Sequence, residues 1–467
     1  MEKHMYHSCR SNPASGNSSC SRVFSFLLVC GIPLSATAEI TLFSGDRLNI
    51  DAGVEVGAAY LDTRDTNFGS GRVDFRTGNN TGDAQYTEGY IEPGLTGSYQ
   101  LDSSGRLYGG ISAVGAFTGG DGDPTGLTDG GDGNADVESL YVGWSSGNAF
   151  AESWGEDVLE ISYGRQEFSV GDGFLIMDGN LDILDDAGFW LAPRSAFRRA
   201  GLIKINTNPV RGDIFYLEST DSQDETEVAG VNVEYSREGL GTFGAMYFHV
   251  LDSEPPNFQL PRDGVDVFSL RANEISLPDL ENMAFWGEYV RETGGGKFGD
   301  KDATGWYVEA QYSFANVAWT PRLSYRYASL SGDVDPNDNK SEDYDPFFYG
   351  YSRGWGTWYQ GEITGEYLLF NSNQTNHMVH LAVNPTDDIE VGAQYFNFSL
   401  DQYNYFGTPV TSKDFADEIN IYADWSISDK LSASALYGVA FPGDGAEQAF
   451  GNDKSFNLFQ VYMIYNL

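Results

Sequence analysis

Two arginines on one face of a short segment carry the first chemical signal. In the stretch PRLSYRYAS, Arg322, Ser324 and Arg326 alternate with Leu323, Tyr325 and Tyr327. A period of two puts the apolar set on one side of a strand and both guanidinium groups on the other. Guanidinium forks pair with carboxylates in bidentate fashion. Lining a water-filled passage they favour anions; turned toward inward carboxylates they brace a wall. By the same alternation Asp51, Glu55, Glu92, Glu160, Glu309, Glu418 and Asp424 look inward, so both roles stay open.

Other chemistry is scarce. His249, His377 and His380 have no metal-ligand spacing, and His377 and His380 fall on opposite faces of one strand. No zinc motif, phosphate-binding glycine loop or nucleophile elbow is present, and no cofactor or metal is implied. Asp121, Asp123, Asp129 and Asp132 could collect calcium, but they miss the EF-hand spacing; a flexible solvated loop is expected there.

The elements that would position the arginines are strands. Arg322 lies at the start of a hairpin, Pro321–Ser329 and Asn376–Asn384, whose connection is long, acidic and aromatic. Similar units recur: Arg47–Tyr60, Tyr90–Leu101, Leu107–Thr118, Asp136–Ser145 and Val158–Phe168, then a loop of about thirty residues. Ala200–Asn206, Arg211–Glu218, Glu227–Tyr235, Gly241–Leu251, Gly264–Asn273, Met283–Arg291 and Asp302–Phe314 follow. Ile389–Ser399, Glu418–Ser426, Leu431–Val439 and Leu458–Leu467 come after the hairpin. Connections near 101–106, 207–210, 236–240, 315–320, 385–388 and 427–430 are short, and those between them mostly long and acidic. One-sided loop length describes an all-β transmembrane antiparallel β-barrel of about 18 strands, with short periplasmic turns and long extracellular loops. The last strand, ending in Leu467 rather than an aromatic residue, resembles the carboxy-terminal insertion signal of such barrels.

Composition agrees. The 467 residues include 56 Gly, 28 Tyr, 30 Phe and 9 Trp but are only 41% hydrophobic. Mean hydropathy is −0.35, which suits strands with one face to lipid and the other to water. Lys3, Arg10 and Arg22 precede the apolar run VFSFLLVCGIPL, and Ala36-Thr37-Ala38 offers a cleavage site, so residues 1–38 are expected to be a secretory signal and 39–467 the barrel. All three cysteines fall in that signal. The mature chain would have 24 basic and 67 acidic residues, a net charge of −43, which argues against a nucleic-acid partner.

Two stretches resemble the alginate export family of outer-membrane porins: YGRQEFSVGDGFLI with APRSAFRRAGLIKI, and SYRYASLSGD continuing to YDPFFYGYSRGWGTWYQGEI. The resemblance implies a monomeric channel in the outer membrane, surrounded by its lipid. It would pass an anionic polysaccharide or oligosaccharide, alginate-like, by passive diffusion, with a periplasmic export or uptake partner conceivable. It also implies substrate contacts at Arg165, Arg326 and Arg353, and at Arg194, Arg198 and Arg199 through a looser match. Trp355, Trp358 and Tyr359 could stack on sugar faces, the alternative for the tryptophans being an interfacial girdle or a packed loop. Arg165 follows Leu159, Ile161 and Tyr163 in phase, so strict alternation sends it outward. A bulge at Gly164 would turn it inward and Phe168 to the lipid side. The alternatives are a general or small-solute porin on the same scaffold, a barrel enzyme and a surface adhesin.

Overall fold

The computed structural model describes residues 40–101, 104–254, 262–280, 282–296, 299–335, 337–353 and 360–467. The expected signal segment, all three cysteines, Trp355, Trp358 and Tyr359 lie outside them. Eighteen long strands close into one antiparallel barrel. The first six are β1 (Leu48–Arg64), β2 (Gln85–Leu101), β3 (Gly105–Gly120), β4 (Gly133–Ser145), β5 (Leu159–Gln166) and β6 (Phe197–Thr207). Next come β7 (Val210–Glu218), β8 (Glu227–Arg237), β9 (Gly241–Asp252), β10 (Val265–Ile275), β11 (Met283–Gly296) and β12 (Gly299–Ser313). The ring ends with β13 (Arg322–Leu330), β14 (Gln374–Thr386), β15 (Ile389–Leu400), β16 (Asp414–Ser428), β17 (Leu431–Pro442) and β18 (Phe456–Asn466). Each pairs with its sequence neighbour, and β1 pairs with β18, Glu55 facing Asn466, so no edge is left open.

Alternation sorts the side chains as the sequence suggests. Leu323 and Tyr325 are exposed on the outer face, and Ser324 and Arg326 are buried within. Several strands run further than their apolar stripe. β1 continues through Asp62 to Arg64 and β2 begins at Gln85, because strand hydrogen bonding persists past the membrane-facing belt. Connection length is one-sided with two exceptions. β11 and β12 are joined at the long-loop end by residues 297–298 alone, and the opposite end has a longer connection, 146–158, between β4 and β5.

The long loops turn into the barrel. Residues 167–196, 331–335, 337–353 and 360–373 pack against the inner wall in the half nearest the loops, forming two buried apolar clusters. One gathers Trp190, Leu191, Ile363, Tyr367 and Leu368 against Leu61, Tyr86 and Phe398. The other gathers Phe174, Ile176, Phe347 and Phe348 against Leu202, Phe248 and Val267. Backbone N–H groups entering so dry a space need acceptors, and inward glutamates supply them. Glu88 accepts from Trp190 and Leu191, Glu138 from Ser195 and Ala196, and Glu292 from Asp345. Glu418 accepts from the N–H groups of Glu362, Ile363 and Thr364 at 2.7–3.1 Å, which cap a π-helix, Gly361–Leu369. Gly361 has φ +84°, and a Cβ there would meet Glu418 Oε1 at 2.9 Å, so glycine alone fits this junction.

The acidic loop 121–132 is not the free solvated segment expected. Arg72, almost wholly buried, donates to Asp129 Oδ1 and to the carbonyls of Asp123 and Thr128 at 2.6–2.7 Å. Arg76 pairs with Asp129 and Asp132 at 2.8 and 2.9 Å. Arginine cations from the preceding loop thus take the place that a calcium ion would need, and among the described residues no group of His, Cys, Asp and Glu fits a metal.

Candidate functional site

The strongest polar constellation inside the barrel joins β11–β13 to both inserted loops. Arg326 on β13 is 3% exposed and donates Nε to Glu309 Oε2 on β12 at 2.9 Å. It also bonds the Tyr351 hydroxyl. Arg353 descends from loop 331–373 and is 18% exposed. Its Nε donates to Asp172 of loop 167–196 at 2.8 Å, and Nη1 and Nη2 each reach Glu309 at 3.3 Å. Its guanidinium lies 4.5 Å from the Trp286 ring, a cation–π contact. Tyr307 donates to Asp172 at 2.6 Å, closing the network. Burial by itself would depress the Arg353 guanidinium, but Tyr351, Glu309 and Asp172 outweigh it and hold it well above the usual guanidinium range.

A second buried ion pair fixes the same loop. Arg262 grips Asp345 with Nε–Oδ2 2.8 Å and Nη2–Oδ1 2.9 Å, both side chains 1% exposed. Burial pushes the Asp345 carboxyl up, yet Arg262 prevails and keeps it below its ordinary 3.8.

The other arginines singled out by sequence are dispersed. Arg322 stands lower on the inner face of β13, paired with Glu390 and bonded to Asn384 at 2.8 Å. Arg194 is buried in loop 167–196 and binds Asp182 at 2.8 Å. Arg198 and Arg199 are half-exposed at the loop end of β6, paired with Glu225 and Glu218. For Arg165 the irregular register lies elsewhere than at Gly164. Gly164 faces Ala200 and Gln166 faces Phe197, so the extra residue belongs to β6, at Arg198–Arg199. Arg165 stays opposite the lipid-facing Leu140. Its long side chain nevertheless bends back to donate Nε to the Glu138 carbonyl at 3.0 Å, with Nη2 3.7 Å from that carboxylate. Phe168 is not on the lipid side: it is 4% exposed and packs on Phe215 at 5.3 Å between ring centroids.

Sequence reading missed the partners more than the arginines. Asp172, Tyr307, Tyr351 and Trp286 come from four separate segments, and only Glu309 carried a signal, its inward phase. Of the capping glutamates Glu418 carried the same inward phase and Glu88 and Glu138 none, and nothing in the sequence gave their targets, which are backbone groups of distant loops.

The barrel and its inserted loops define a porin of the outer membrane. The sequence model for alginate export matches residues 124–458, and the chain belongs to that family. No curated protein sequence matches. Among solved structures, OccAB2 of Acinetobacter baumannii is similar in fold, with TM-score 0.58, 10% identity, and 89% of this chain and 97% of that one covered. A BenF-like porin from Pseudomonas fluorescens Pf-5 gives TM-score 0.57 at 10% identity, covering 90% and 98%. OccK2 (OpdF) of Pseudomonas aeruginosa, in complex with glucuronate, gives 0.54 at 11%, covering 89% and 95%. At such identity the likeness is one of fold.

Proposed function

We propose that the protein is a passive channel for acidic sugars, uronates and their short oligomers, with Arg353 as the principal contact and Arg326 and Arg322 behind it. The observation that carries this reading is the exposed edge of Arg353. Nε, Nη1 and Nη2 each give one hydrogen to Asp172 or Glu309, so among the described residues one N–H on each Nη is left for a passing carboxylate. A guanidinium already held by two carboxylates binds a third weakly, and transport needs a contact that each sugar can leave. The glucuronate complex of OccK2 lends support by analogy of fold. Family membership points to alginate as the polymer from which such uronates derive.

The small-solute porin is the second reading, favoured by charge matching: Arg326 and Arg353 face Glu309 and Asp172, and Arg322 faces Glu390. Proteoliposome flux separates the two. Arg353→Ser should slow an oligouronate by about fivefold, the loss of a contact of about 1 kcal/mol, and leave a neutral oligosaccharide unchanged. Equal effects on both would favour the general porin. On either reading residues 1–38 are a signal, and the purified protein should begin at Glu39; an intact Met1 would refute that.

A further inference from the structure

Toward the short-turn end, the inner wall of β3 and β4 carries an aromatic corner that takes no part in the Arg326–Arg353 network. Tyr108 on β3 faces Gly143 on β4, and Tyr141 on β4 faces Gly110 on β3. Each ring lies across the glycine opposite it. A Cβ on Gly143 would fall 2.3 Å from Tyr108 Cζ, and one on Gly110 2.9 Å from Tyr141 Cε1. The two rings meet edge to face, with 6.3 Å between centroids and 64° between planes. Both side chains are half-buried, and the Tyr108 hydroxyl stands beside Glu160 and Ser162 of β5. The same ring-on-glycine contact occurs at Tyr90 over Gly57 and at Tyr422 over Gly392. Those rings are 5% and 2% exposed and their hydroxyls bind Glu55 and Glu390, so they are packing. Arg106 completes the corner. It shares the inward phase of Tyr108, with Leu107 between them exposed on the outer face. Its guanidinium carbon lies 6.0 Å from the Tyr108 ring centroid, at the outer limit of a cation–π contact. Among the described residues no carboxylate pairs with Arg106, whereas the inward Arg211, Arg271, Arg322 and Arg326 each have one.

We propose that Tyr108, Tyr141 and Arg106 form a sugar subsite at the short-turn mouth of the bore, the rings taking the C–H face of a pyranose and Arg106 its carboxylate. The C–H groups on one face of a pyranose carry slight positive charge, which matches the negative face of an aromatic ring. The hydroxyls around the sugar's rim keep their water meanwhile, so the contact is weak enough to be left again. Facing glycines let both rings lie low against the wall, where a Cβ would push them into the passage. The ring contact serves any pyranose; the preference for an acidic one rests on the function proposed above. β3 and β4 lie half-way round the ring from β12 and β13. A sugar leaving Arg353 must therefore cross the bore to reach this corner, which makes it a separate station.

Interruption of the ion current through the intact barrel in planar bilayers tests the subsite, with a trimeric oligouronate and a neutral glucose trimer as probes. Both should interrupt the wild-type current, the oligouronate at the lower concentration. Tyr108→Leu/Tyr141→Leu should weaken both interruptions by about fivefold. Tyr108→Phe/Tyr141→Phe, which keeps the rings, should leave them unchanged. Arg106→Gln should weaken the oligouronate by about fivefold and spare the neutral trimer. Open channels in the bilayer show that each variant has folded, and a wild type that neither sugar interrupts would overturn the subsite without any variant. A double leucine variant that behaves as the wild type would overturn it too, and an Arg106→Gln effect equal on both sugars would remove the arginine from it. If Arg353→Ser fails to slow oligouronate while the leucine variant still weakens both sugars, the acidic-sugar reading falls and the subsite stands.

Discussion

The two inner walls hold their loops by different chemistry. On the β10–β13 side, loop 331–373 is fastened largely by ion pairs, Arg262 with Asp345 and Arg353 with Glu309 and Asp172. On the β1–β4 side, loop 167–196 is fastened by wall carboxylates, Glu88 and Glu138, that accept its backbone N–H groups. A carboxylate satisfied by peptide groups needs no cation. The arginines therefore collect on one wall, and the other keeps acidic groups without basic partners. The same residue type, glutamate, thus balances charge on one side and leaves it unbalanced on the other.

The largest test of that contrast is Arg262→Leu. It strands the Asp345 carboxylate in a dry site and should cost about 3–5 kcal/mol. The urea midpoint for loss of the compact, unheated gel band should fall accordingly; an unchanged midpoint would mean that the ion pair does not hold the loop. Glu88→Ala should cost less, about 1–3 kcal/mol, because it strands neutral N–H groups of Trp190 and Leu191 instead of a charge. If it proves the costlier of the two, the assumed ranking of the walls is inverted.

Acidification should release loop 331–373 late. Asp345 is depressed below 3.8, so its contribution to stability is full above that value and is lost only as pH falls through the folded-state value. Protease nicking of that loop should thus begin only below pH 3.8; nicking that begins above it would contradict the assignment. The smallest effect is expected for Tyr351→Phe, about 0.5–1.5 kcal/mol, since Arg326 keeps its bond to Glu309. A loss as large as that of Arg262→Leu would make the hydroxyl a hub of the network.

The sequence by itself determined the barrel, its strand count and the face on which Arg322, Arg326, Glu55 and Glu309 stand. These follow from a period of two, which is local and survives any uncertainty in loop conformation. It also carried the family, through motifs that flank the inserted loops. Register already needed tertiary contact: strict alternation sends Arg165 outward, as the structure has it, whereas the bulge expected at Gly164 to turn it inward sits at Arg198–Arg199 in the facing strand, which is why Phe168 was misplaced. Only the tertiary structure decided what the inward groups touch. Arg353 meets Asp172 across 181 residues of chain, and Glu418 meets three consecutive backbone N–H groups more than fifty positions away. Backbone donors look the same in every residue type, so no side-chain pattern could announce that a distant glutamate would cap them.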